Sequence, residues 1–122
     1  MSGIQTLRTD ALSETPSTPG IKRNLAFNGE GYLVVRARSD PGVVSGWHHH
    51  GDYEVYGYVA SGSVLFESDP ENVNPVSLDR GDFFHVPAHT IHREINPSSE
   101  TQNEVILFLL GTGPLVINID DT

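Results

Sequence analysis

The chain contains no cysteine, which rules out disulfide staples and thiolate metal sites. Lysine is nearly absent too: Lys22 stands alone among seven basic residues, against 16 acidic ones. The resulting net charge of −9 repels a phosphate backbone, so no nucleic acid is expected as a partner. No apolar run reaches membrane-spanning length, and Met1-Ser2-Gly3-Ile4-Gln5-Thr6 lacks an apolar signal core. A cytoplasmic protein with no membrane partner is the expectation. An amphipathic helical period is also missing, and with it any helix-turn-helix region of a transcription regulator.

What is there reads as β-structure. The 122 residues suffice for one core, and 12 Gly and 8 Pro punctuate short runs of Val, Ile, Phe and Tyr. Strands are predicted at Ile21–Phe27, Tyr32–Ser39, Val44–His50, Tyr53–Ala60, Ser63–Ser68, Val76–Leu78, Asp82–Val86, Ile91–Asn96, Glu104–Leu110 and Leu115–Ile119. Turn chemistry separates them, as in Asn28-Gly29-Glu30-Gly31 and Asp79-Arg80-Gly81-Asp82. The acidic stretch Asp69–Pro75 is expected as a solvated loop. Residues 1–20 form an N-terminal arm, flexible or packed on a partner, and residues 21–122 an all-β sandwich or barrel.

The six histidines all fall between positions 48 and 92. In Trp47-His48-His49-His50, strand alternation puts His48 and His50 on one face, and turns Trp47 and His49 away. Two imidazoles at i and i+2 can chelate one ion, and neutral imidazole suits Zn, Cu, Fe or Ni, with a nearby carboxylate admitting Mn. A solvated surface run would account for this cluster, but not for the second one, Pro87-Ala88-His89-Thr90-Ile91-His92. Glu94 shares the parity of His92 and faces inward to orient a ligand histidine, or else pairs with Arg36 or Arg38. Asn96 is expected to tie a turn or strand end. Tyr53, Tyr56, Tyr58, Phe66, Phe83, Phe84 and Phe108 are expected mostly in the core, and His85 buried at a strand interface.

Gly42, His48, His50, Glu54 and Gly62 are spaced as in the first motif of the cupin superfamily. Gly81, Pro87, His92 and Asn96 resemble the second, and the intervening length matches small single-domain members. The resemblance implies a double-stranded β-helix (cupin, or jelly-roll) barrel holding one divalent transition metal through His48, His50, His92 and Glu54. It also implies a homodimer. Two departures stand out. Seven residues, not the usual six, separate Glu54 from Gly62, and a bulge at Gly57 would absorb the extra one. That leaves a three-histidine site with Glu54 turned aside as an alternative. His89 stands where the motif prefers Gly, either as a solvated loop residue or as a catalytic general acid/base.

The chemistry expected of such a site is a dioxygenase-like reaction on a small organic substrate. A three-histidine, one-carboxylate set leaves positions for O2 and a chelating substrate together. The alternatives are a non-redox metal-dependent isomerase or lyase, and a non-enzymatic small-ligand-binding module.

Overall fold

Runs of β-branched and aromatic residues alternating with polar ones fit a pleated surface buried on one side. The computed structural model, which describes residues 3–68 and 74–119, turns these runs into eleven strands. They are β1 (Ser13–Glu14), β2 (Lys22–Gly29), β3 (Tyr32–Ser39), β4 (His48–His49), β5 (Glu54–Ser61) and β6 (Ser63–Ser68), then β7 (Val76–Asp79), β8 (Phe83–Val86), β9 (His92–Ile95), β10 (Asn103–Leu110) and β11 (Ile117–Asn118). The only helix among the described residues is a single 3-10 turn, Thr9–Ala11. Of the expected Asp69–Pro75 loop, residues 69–73 lie outside the described part.

Two antiparallel sheets form the jelly roll expected from the sequence, one ordered β1-β2-β3-β10-β5-β8 and the other β11-β4-β9-β6-β7. In β10, Val105, Leu107 and Leu109 are buried while Phe108 and Leu110 face outward. The inward set meets Val35, Ala37, Val55, Val59 and Val64 in one core. Each such side chain contributes roughly 1.5–3 kcal/mol by leaving water. The expected Val44–His50 strand is shorter than the pattern suggested. Only His48–His49 ladder, and Val44 makes an isolated bridge to Ile95.

The extra residue of the first motif is absorbed at Ala60, not at Gly57. Glu104 pairs with Ser61 and Val105 with Val59, so Ala60 is the unpaired residue. Gly57 instead sits in regular pairing with Leu107 and Phe84, and the Phe84 ring covers the space where a Cβ would be. Upstream of the bulge, Val55, Gly57 and Val59 point inward, and Glu54, Tyr56 and Tyr58 point the other way.

Part of the N-terminal segment is engaged within its own chain. β1 pairs with β2 in the register Ser13↔Leu25, and Thr18 is buried. The aromatic expectation is corrected in part. Tyr53 is buried, whereas Tyr56, Phe83 and Phe108 are exposed on the outer face of the first sheet. Inward parity on these strands belongs to Val55, Gly57 and Val59, to Phe84 and Val86, and to Val105, Leu107 and Leu109, which leaves the other rings outside.

Candidate metal centre

His48 lies in β4, His50 just beyond it, and His92 opens β9 as the register partner of His48. This short ladder and the i, i+2 alternation bring the three rings together. All three are buried, and one ring nitrogen from each lies within 4.8 Å of the other two.

The second nitrogen of each ring decides what the group can do. Nδ1 of His48 faces the carbonyl of Gly46 at 2.9 Å, Nδ1 of His50 that of Leu115 at 3.0 Å, and Nδ1 of His92 that of Thr90 at 2.9 Å. A carbonyl can only accept, so each Nδ1 carries the proton and each Nε2 keeps a lone pair. This is the tautomer metal-binding histidines adopt when a backbone acceptor orients them. Burial, the largest cause, also keeps His50 and His92 neutral. It lowers the pKa of His50 to about 3 and that of His92 to about 4, against an ordinary 6.5. The donor set therefore fits a divalent transition metal.

Glu54 is not brought to this group. Its carboxylate accepts from His85 Nε2 at 2.6 Å and from the Ala88 N–H at 3.2 Å, on the opposite side of β5 from Val55. Those two hydrogen bonds, His85 first, hold its pKa below the usual carboxylate value. The residue count that marked Glu54 as doubtful is thus realised as the Ala60 bulge. His85, expected to be buried, is exposed beside Glu54 and stacked on Tyr56 at 4.5 Å. His89 also lies apart from the three rings. It is the one non-glycine with positive φ (62°) among the described residues, and its Nε2 meets Asp52 at 2.7 Å in solvent. The family's preference for Gly at that position matches this backbone.

Glu94 faces inward, as its parity implied. Its Oε2 lies 3.5 Å from His48 Nε2, and its pKa is held down to about 2. Burial opposes that shift, and the buried guanidinium of Arg23 nearby favours the charged carboxylate. Arg23 was missed in the sequence. The available signal was its place at inward parity between Ile21 and Leu25 on β2. Asn96 ties the strand end as expected, its amide donating to the carbonyls of Ser39, Asp40 and Thr101. Trp47 faces away from the rings and carries the Arg93 guanidinium 4.7 Å above it.

Beside His92 opens a cavity of about 170 Å³, with apolar walls that include Phe66, Leu78 and Phe84 and with Ser68, His85, Thr90 and His92 as its polar members. It is smaller than the 300–1,000 Å³ typical of drug-sized ligands, so it suits a small molecule.

The chain matches the family model described as "Cupin domain" over residues 35–116. No curated protein is matched by its sequence. KdgF from Halomonas sp. is similar in structure, at TM-score 0.69 and 23% identity, over 90% of this chain and 96% of that one. An oxalate oxidase is similar at TM-score 0.75 and 16% identity, over 94% of this chain and 63% of that one. Vicilin from Corylus avellana (hazelnut) gives TM-score 0.74 and 18% identity over 88% of this chain. The chain spans 34% of that vicilin's length and under two thirds of the oxalate oxidase's.

Proposed function

The chain belongs to the cupin domain family, and from that premise we propose that it is a metal-dependent enzyme performing a dioxygenase-like oxidation of a small organic substrate. The ion would be held by His48, His50 and His92. The observation that carries this reading is the common tautomer: three Nδ1–H groups are bonded to carbonyls, which puts the lone pair of each grouped ring on Nε2. Bound there, Fe, Mn, Ni, Cu or Zn would supply a Lewis-acidic centre with coordination positions open to solution.

The chain's own residues do the rest. Gly46, Leu115 and Thr90 fix the ring orientations through their carbonyls, and burial keeps His50 and His92 unprotonated and available. The largely apolar walls of the neighbouring cavity limit what can approach His92. The oxalate oxidase likeness makes oxalate and glycolate the first compounds to try, since one such structure is described in complex with glycolate.

One observation favours a second reading, a non-redox isomerase or lyase. With Glu54 turned outward, the grouped ligands are three imidazoles with no carboxylate among them, which would keep the ion's Lewis acidity high. Metal content after reconstitution, followed by O2 uptake over a panel of small carboxylates, tests the proposal. Turnover without O2 would select the second reading. An empty wild-type protein after incubation with Fe, Mn, Ni, Cu and Zn would end both and leave a small-ligand-binding module.

We read the protein further as a cytoplasmic homodimer. No helix among the described residues is long and apolar enough to cross a membrane. Phe83, Tyr56, Phe108 and Leu110 form an exposed apolar area on the outer face of β5, β8 and β10. Size exclusion with light scattering checks the dimer, and a monomer at high concentration would overturn it.

A further inference from the structure

Arg23 is only 3% exposed, yet it carries a full charge beside the three histidines. Its Nη1 donates to Thr18 Oγ1 at 2.9 Å, and Thr18 in turn donates to Asn118 Oδ1 at 2.8 Å. Its Nη2 lies 3.2 Å from His48 Nε2. The buried Nε has no hydrogen-bond partner. The Nδ1–H of His48 is already given to Gly46, so the guanidinium donates into the Nε2 lone pair. That is the lone pair a metal would need. Glu94 Oε2 stands 3.5 Å from the same nitrogen, acceptor facing acceptor, an arrangement that needs a cation nearby.

We propose that Arg23 is a built-in competitor for metal at His48, and that loading requires its guanidinium to leave Nε2 and move onto Glu94. The inference rests on the metal-centre reading above and adds what sets the affinity of that centre. Arg23 and Glu94 act here as positioning residues, not ligands. The partly unsatisfied guanidinium has a free donor for Glu94, and Glu94 has lone pairs to accept it. Releasing the charge-assisted bond to His48 opposes loading, and so does bringing a dication up to a buried cation. Both costs vanish together when the guanidinium is removed.

The test is the zinc affinity of the full chain, measured by competition with a chromophoric chelator, for wild type, Arg23→Met, Arg23→Lys and Glu94→Gln. Arg23→Met is expected to bind zinc roughly tenfold tighter or more. Arg23→Lys keeps a buried cation and stays close to wild type. Glu94→Gln removes the group that receives the guanidinium and weakens binding roughly tenfold. A merely structural role would weaken binding in every variant, so the opposite signs are the signature. Melts followed by circular dichroism establish which variants are folded. If Arg23→Met does not fold, Glu94→Gln carries the test, and unchanged or tighter binding there overturns the proposal. Zinc in the wild type with no tightening in folded Arg23→Met overturns the competitor alone. No zinc in either protein overturns the metal centre with it, and an empty wild type beside a loaded Arg23→Met supports the competitor.

Discussion

Five of the six histidines of this protein fall into an inner and an outer set, and the two differ in which ring nitrogen is spent. Inside, His48, His50 and His92 commit Nδ1 to backbone carbonyls and turn Nε2 toward one another. Outside, His85 and His89 commit Nε2 to the carboxylates of Glu54 and Asp52. A carbonyl behind the ring leaves a ligand nitrogen in front, whereas a carboxylate at Nε2 consumes it. The outer pairs are solvent-exposed and contribute little to stability. Histidine content therefore does not count ligands; the acceptor each ring has found does.

The largest break in this contrast is expected from His92→Ala. About one equivalent of metal in the wild type should fall to background, while His85→Ala keeps its full complement, both read by mass spectrometry of metal content. Loss in both would erase the distinction.

Acidification in the presence of a chelator is the next largest effect. The folded-state pKa values of His50 and His92 are lowered to about 3 and about 4 from 6.5, so the unfolded chain binds more protons between those limits. Stability is then full above about pH 6.5 and declines as pH falls toward 4, by on the order of 4 kcal/mol for the two rings between pH 7 and pH 5. Glu94, lowered to about 2 from 4.5, adds a further decline below that range. Denaturant titrations at the two pH values check this, and equal midpoints would mean the inner rings take protons freely when folded.

Glu54→Gln is expected to keep the metal and to move the thermal midpoint little, because it breaks an exposed pair and leaves an acceptor for the Ala88 N–H. Loss of the metal would restore Glu54 as a ligand. The smallest effect is expected from His89→Gly, which relieves a positive φ and stabilises by about 0.5–1 kcal/mol in a thermal melt. A collapse of turnover in that variant, with the metal retained, would make His89 a catalytic residue after all.

What could be read from the sequence was whatever depends on local alternation. The spans of β3 and β6 match their expected limits, and His48 and His50 share a face as the parity required. What could not be read depends on partners far along the chain. Whether the extra residue bulges at Gly57 or Ala60 is settled by how β10 pairs with β5, and the same pairing sets Val55 inward and Glu54 outward. Arg23 drew no reading in the sequence, because only the fold sets it against His48, 25 residues away. Phe83 illustrates the converse: 76% exposed, it is an aromatic that composition assigns to the core and parity sends outside.

The seat of His50 is its contact with Leu115, 65 residues downstream, and β4 is flanked on one side by β11. A ribosome therefore delivers the histidines long before it delivers the carbonyl that aims one of them. While the chain is still emerging, His48, His49 and His50 are three adjacent, unoriented imidazoles with no preference beyond the general affinity order of free ions. A site built from these rings would be complete only once the last strand has closed, so any choice among metals would fall to the ions present at release.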